Sequence, residues 1–429
     1  MTQRILTNEL SGKVGERVHL QGWMHTLRRM GGLTFLVVRD RSGSAQAVLD
    51  DVAPLNGCLP ETVLALTGTV CEEPRARGGV ELHDVTVEII SPVREALPFE
   101  LNKGPLKANL DTYLDHAAVG LRHPAKQATF RLASAILGAY ASWMRAHGYT
   151  QVTTPKIVGS ATEGGANVFG IEYFNRRAYL AQSPQLYKQV MVGVFERVFE
   201  IGHAYRAEAH DTARHLNEYL SLDMEMGFIR DHHDIMRTLT EVLRHILGTL
   251  EQDHAPDLAV LGARLPPLGD VPVISFAEAQ ELLATCYGEV QDEADLSPSQ
   301  ERSLCHWATA EHHSDWVYVT GYPTAHRPFY TMPDPAHPAD SNSFDLLCRG
   351  AELVTGGQRI HEYAPLLAAL HARGYDEAGF GGYLEAFRYG MPPEGGFAIG
   401  SERLLARFLG VENVREVTLF PRDMNRLTP

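Results

Sequence analysis

The stretch 206–225 holds Arg206, Glu208, Arg214, His215, Glu218, Asp223 and Glu225 between two apolar runs. Val198-Phe-Glu-Ile201 before it and Tyr219 to Met226 after it alternate with a period of two, which predicts a β-hairpin with a long polar loop. Arginine suits a polyanion, because its planar fork grips oxyanions in pairs and never loses its charge. Carboxylates on the same hairpin suit an amino group. The hairpin can hold both, although a solvated charged hairpin without function has the same composition.

Four further patterns carry chemistry. Gly395-Gly-Phe-Ala-Ile-Gly400-Ser-Glu-Arg403-Leu404 reads as a glycine-rich strand running into a helix that bears an arginine. Gln182-Ser-Pro-Gln185-Leu-Tyr-Lys188-Gln189 and Gly356-Gly-Gln-Arg359-Ile-His361 each place a cation among polar residues. Asp345 and Glu352 stand seven apart, and a strand-turn-strand would turn both to one cavity. Such a pair suits Mg2+, which takes one or two carboxylates and completes its shell with phosphate and water. Zinc is disfavoured: His232-His233 and His312-His313 are adjacent pairs whose side chains diverge, with no cysteine set and no His-Glu-x-x-His.

The elements that position these residues follow from periodicity. Short alternating runs at Val18–Trp23, Leu33–Val38, Thr62–Val70 and Val80–Ile90 suggest a small N-terminal OB-fold β-barrel over 1–95. Prolines 92, 98 and 105 mark 96–124 as linker and hinge. Apolar residues at helical spacing give one helix from Ala125 to His147, followed by a strand ending at Pro155, and another from His233 to Leu250. Strands return at Trp316–Thr320, Ser343–Leu347 and Gly396–Ile399, so 125–429 reads as an α+β domain with an antiparallel sheet. Residues 253–299 are mixed and uninformative. The chain has 429 residues, 44% hydrophobic content and formal charge −15, which argues against a general nucleic-acid coat protein but leaves room for local basic patches. No run spans a membrane, the N-terminus has no signal core, and five scattered cysteines read as reduced; the expected location is cytoplasmic.

Together the Arg206-Ala-Glu208 to Glu225 hairpin and the Gly395–Leu404 segment resemble motifs 2 and 3 of class II aminoacyl-tRNA synthetases. The Gln182–Gln189 run resembles the aspartate-specific members, in the compact archaeal/eukaryotic type that lacks the large bacterial insertion. The helix-strand-proline segment at 125–155 resembles motif 1, which in the family forms a homodimer interface. The resemblance implies ATP as substrate and Mg2+ as cofactor, held by Asp345 and Glu352. It implies ATP contacts from Arg206, Glu208, Arg214, His215, Leu216, Tyr219, Glu352, Gly400 and Arg403, with Arg206 and Arg403 catalytic. Aspartate would be held by Glu163, Gln185, Lys188, Asp223, Thr355 and Arg359, and Glu163 lies in a Gly164-Gly165 loop suited to a lid.

For tRNA, the resemblance implies anticodon contacts from His25, Arg28, Phe35, Gln46 and Glu81 on the barrel, where an aromatic stacks on a base. By composition alone Phe35 would be read as core and Lys188 as a surface lysine. His25 occupies a position where strictly tRNA-Asp-specific archaeal-type members tend to carry tryptophan. That departure implies a non-discriminating enzyme that also charges tRNA-Asn. The alternatives are a strictly tRNA-Asp-specific enzyme, an asparaginyl-tRNA synthetase, an ammonia-dependent asparagine synthetase-like paralogue and an inert relative. Lys188 and Arg359 speak against asparagine, the barrel against the paralogue, and the intact arginines and carboxylates against the last.

Overall fold

The computed structural model describes residues 3–159, 167–209, 212–290 and 295–429. The chain divides into two compact units, Met1–Pro124 and Ala125–Pro429.

In the first unit five strands form a closed barrel: β1 (Arg17–Met30), β2 (Leu33–Arg39), β3 (Ser44–Leu49), β4 (Val63–Glu72) and β5 (Val80–Ser91), in the order β1-β2-β3-β5-β4. Alternation explains it. Val18, Leu20, Leu36, Val38, Leu64, Leu66 and Leu82 point into one buried core, while their neighbours face outward. Closure is completed by the parallel β3–β5 pair, so no long strand edge is left bare. The stretch expected as linker contains two short helices, Leu110–Asp115 and Ala117–Gly120. Its Asn109 caps the first by accepting from Thr112 N.

The second unit is built on an eight-stranded sheet and a small three-stranded one. The sheet takes up β6 (Thr150–Gln151), β10 (Arg197–Tyr205), β11 (Glu218–Gly227), β12 (Val273–Ser275), β13 (Trp316–Thr320), β14 (Ser343–Cys348), β15 (Ala351–Arg359) and β16 (Glu394–Gly400). Their order is β12-β13-β14-β15-β16-β11-β10-β6, and β7 (Ile157–Val158), β8 (Gly170–Tyr173) and β9 (Arg176–Leu180) form the second sheet. One face of the large sheet is covered by helices. Ile235, Met236, Leu239, Val242, Leu243, Ile246, Leu247 and Leu250 of the His232–Asp253 helix are all buried in the main core, as its spacing predicts. The Pro124–Ala146 helix adds Leu132, Ile136, Tyr140, Trp143 and Met144.

The strand expected up to Pro155 pairs with β10 only at Thr150 and Gln151. Glu200 on β10 explains the early stop. Its carboxylate accepts from Thr154 N at 3.2 Å and Thr154 Oγ1 at 2.7 Å, replacing ladder bonds, and Pro155 has no N–H to offer. Residues 253–299, uninformative as sequence, supply the edge strand β12 and lead into the Pro298–His312 helix.

Candidate active site

The face of the sheet away from the main core is set by strand register. Glu200, Asp223, Ala398, Thr355 and Asp345 lie side by side across β10, β11, β16, β15 and β14. One row along, Val198, Glu225, Gly396, Gly357 and Ser343 do the same. The central strand β16 shows why a glycine-rich segment belongs here. Phe397 and Ile399 point into the core, while Gly396, Ala398 and Gly400 present a floor with almost no side chain. A Cβ at Gly396 would collide with Met224 O and the Glu225 carboxylate, so this glycine lets a charged side chain lie across the strand.

Over that floor sits a buried ion cluster. Lys188, from the Gln185–Phe195 helix, is 1% exposed and places Nζ 3.0 Å from Asp223 Oδ1 and 3.2 Å from Glu225 Oε2. It also donates to Phe397 O at 3.3 Å. Arg359 donates from Nε to Glu225 Oε1 at 2.8 Å and from Nη2 to Gly396 O at 3.1 Å. Burial works against the Arg359 charge, but Glu225 beside it holds its pKa raised. Glu394, Arg359's partner across the ladder, is pushed well above the carboxylate range by burial and by the Glu225 charge. Its Oε1 accepts from Gln189 Nε2 at 3.1 Å.

Open hydrogen-bonding positions remain in this region. Among the described residues, the buried atoms Asp223 Oδ2, Gln182 Oε1 and Gln185 Nε2 have no partner. Buried polar atoms without partners are costly, and a polar ligand would satisfy them. Gln185, Lys188, Asp223 and Arg359 are thus all buried on this side of the site. Glu163 lies outside the described residues.

The neighbouring cleft, about 130 Å3, is lined by Arg206, Glu208, Arg214, His215, Leu216, Tyr219, Glu352, Thr355, Gly400, Glu402 and Arg403. Every residue expected at ATP is in this lining. Thr355, expected at aspartate, is there too, donating from Oγ1 to Glu352 Oε1 at 2.9 Å. The cations are partly open: the Arg206 side chain is 44% exposed and that of Arg403 33%. The Arg206 guanidinium lies 5.6 Å from the Tyr219 ring centroid. Arg403 Nη1 donates to Glu352 O at 3.2 Å, and Glu402 fixes the strand-to-helix junction by accepting from Leu220 N at 3.0 Å.

Asp345 and Glu352 reach the same region because β15 carries a bulge. The register passes from Leu346↔Val354 to Leu347↔Glu352, so Leu353 is the extra residue and Glu352 swings round to Thr355. Asp345 is fully buried, and burial with the Glu352 charge raises its pKa to about 7. Arg327 Nη2 donates to Asp345 Oδ2 at 2.7 Å, leaving Oδ1 without a partner among the described residues. Among the described residues no three His, Cys, Asp or Glu side chains gather to hold a metal alone. Two carboxylates with an open oxygen fit Mg2+, which draws its other ligands from phosphate and water.

Sequence reasoning put Glu225 on the hairpin without a site role and passed over Arg327, Glu301 and Glu394. Glu225 was within reach, since it stands two residues after Asp223 and a strand's period of two puts both on one face. The other three lie at positions with no local pattern.

On the barrel, the five expected anticodon residues map to strands β1, β2, β3 and β5. Phe35 and Gln46 are half-buried and lie outside the barrel core, because they occupy the outward positions of β2 and β3. Phe35 pairs with Arg28 on β1, and Gln46 donates to Glu81 Oε2 at 2.8 Å. His25 is the residue skipped where the β1–β2 register shifts between Met24 and Thr26. Burial, with the nearby Arg39 charge, holds its pKa below the ordinary histidine value, so the ring is neutral near pH 7.

Two family models match the chain: "tRNA synthetases class II (D, K and N)" over residues 109–424 and "OB-fold nucleic acid binding domain" over 18–90. The chain belongs to the class II tRNA synthetases. It is 45% identical to the aspartate–tRNA(Asp/Asn) ligase of Thermus thermophilus over 99% of this chain and 100% of that one. It is likewise 45% identical to the aspartate–tRNA(Asp/Asn) ligase of Deinococcus radiodurans, over 100% and 99%. A crystal structure of asparaginyl-tRNA synthetase from Pyrococcus horikoshii, complexed with asparaginyl-adenylate, superposes with TM-score 0.91 at 31% identity over 100% of both chains. A "crystal structure of a putative aspartyl-tRNA synthetase from Leishmania major Friedlin" superposes with TM-score 0.89 at 30% identity over 100% of this chain and 95% of that one, so backbone likeness alone does not tell the two kinds of enzyme apart.

Proposed function

We propose that the chain is an aspartate–tRNA ligase that activates L-aspartate with ATP and transfers it to both tRNA-Asp and tRNA-Asn. The observation that carries the amino-acid side is the Lys188–Asp223–Glu225–Arg359 cluster. Its four side chains are buried, its four charges balance, and Asp223 Oδ2 is left without a hydrogen-bond partner among the described residues. A zwitterion with an extra carboxylate supplies an ammonium for Asp223 and an anion for Arg359 and Lys188. Asparagine would leave buried cations facing a neutral amide, at a cost of several kcal/mol.

In the first step an aspartate α-carboxylate oxygen attacks the α-phosphorus of ATP and the bond to pyrophosphate breaks. No protein nucleophile is required; the work is positioning and charge stabilisation. Arg206 lies at the α-phosphate, Arg403 closes from the opposite wall, Arg214 and His215 take the outer phosphates, and Tyr219 stacks on adenine. Asp345 and Glu352 would hold Mg2+, which supplies further charge neutralisation at the phosphates. In the second step the 3′-terminal hydroxyl of tRNA attacks the adenylate carbonyl and AMP leaves. A homodimer through the Pro124–Ala146 helix and β6 belongs to the same reading.

Pyrophosphate exchange tests the substrate. Aspartate alone should support it, and exchange with asparagine alone would overturn the assignment. For tRNA scope, the wild type should charge transcripts of tRNA-Asp and tRNA-Asn alike. His25→Trp should cut charging of tRNA-Asn by about tenfold relative to tRNA-Asp, equivalent to roughly 1.4 kcal/mol.

A further inference from the structure

The Pro298–His312 helix buries Gln300, Glu301, Leu304, Cys305 and Ala308 along one side. Four of these are ordinary packing or capping residues: Gln300 closes a capping box with Ser297, which fixes the helix's first turn. Glu301 is different. It is a carboxylate placed on a packing face, a choice that costs several kcal/mol unless a cation meets it. The cation is Arg214, from the loop between β10 and β11, whose Nη1 donates to Glu301 Oε2 at 2.6 Å. Arg214 Nη2 donates to Gly350 O at 2.8 Å. Gly350 lies in the turn joining the two strands that carry Asp345 and Glu352, and a Cβ there would press on Arg302 Cγ at 3.0 Å. Helix and turn therefore clamp the guanidinium from two elements distant in sequence, while Arg214 still lines the cleft.

We propose that Glu301 is a positioning residue that orients Arg214 towards the outer phosphates of ATP. A guanidinium has five N–H donors, and two are spent on the clamp, so the rest are held at a set angle to the cleft. A loop arginine left to itself would lose rotamer freedom on binding, and the clamp removes that loss beforehand. The proposal rests on reading the cleft as the ATP site and extends it to a helix outside the three motifs.

Equilibrium binding of Mg-ATP and of AMP to the full-length protein provides the test, because only ATP has the outer phosphates. Glu301→Gln, nearly isosteric, should weaken ATP several-fold, and Arg214→Ala about tenfold. The double variant should bind ATP no more weakly than Arg214→Ala alone, since Glu301 acts through Arg214. AMP affinity should stay within twofold of wild type in all three. Equal losses for AMP, additive losses in the double variant, or tighter ATP binding by Glu301→Gln would each overturn the proposal. The expected pattern among the variants, together with a wild type that lacks aspartate-dependent exchange, would sink the amino-acid assignment alone. Protein that binds neither nucleotide would remove both readings.

Discussion

The two halves of the site handle charge in opposite ways. The cluster of Lys188, Asp223, Glu225 and Arg359 is withdrawn from water, held by strand register and a glycine floor. The neighbouring cleft, proposed for ATP, carries its cations on a loop and a helix, and Arg206 and Arg403 remain partly exposed. Burial makes the first region rigid and selective, because a wrong ligand leaves a desolvated charge unpaired. Exposure makes the second adaptable, which suits a ligand that arrives as a triphosphate, breaks in two and departs. On the proposed reading, specificity and turnover fall to different dielectric environments a few residues apart on one sheet.

The largest effect should come from Arg359→Ala. Aspartate-dependent exchange should fall at least about a thousandfold, and stability by roughly 3–5 kcal/mol, because Glu225 loses a buried partner. Unchanged exchange in that variant would break the contrast at its root. Arg403→Ala should lower exchange by about a hundredfold or more while leaving the melting temperature within a degree or two, since its side chain is partly solvated. A comparable loss of stability would mean that the cleft is as tightly built as the cluster.

Salt separates the halves more gently. Raising ionic strength from about 0.05 M to 0.5 M should raise KM for ATP several-fold and leave KM for aspartate nearly flat, because screening acts on exposed charges and hardly on buried ones. A further effect lies outside both regions and bears on stability alone. Burial lowers the pKa of His232 from its ordinary 6.5 to about 4. The unfolded chain therefore binds the proton first, and stability should fall as pH drops from 6.5 towards 4, by about 2–3 kcal/mol at most. His232→Gln should flatten that slope in chemical denaturation, and an unchanged slope would assign acid lability elsewhere.

Much of this was legible in the chain. The hairpin around Arg206–Glu225 alternates in sequence as it does in space, and the eight apolar positions of the His232–Asp253 helix are all buried. The glycines at 395, 396 and 400 marked a glycine-rich strand running into a helix, as the structure has it. What stayed hidden was contact between distant segments. Phe35 looks like core to any composition rule, yet its parity on β2 turns it outward while Leu36 and Val38 fill the barrel. Arg327 and Glu301 have no local signal, because a side chain's partner across the fold leaves no periodic trace.

Local spacing alone determined the β10–β11 hairpin, most barrel strands, the two long helices and the inventory of cations and carboxylates, since periods of 2 and 3.6 follow from backbone geometry. Only tertiary structure decided which charges meet. The bulge at Leu353 brings Glu352 round to Thr355 on the cleft side, the register of β11 against β16 lays Glu225 across Gly396, and a helix tens of residues away supplies Glu301 to Arg214. Pairing and burial are properties of the folded chain, and in a low-dielectric interior they decide whether a charge selects a ligand or merely dissolves a surface.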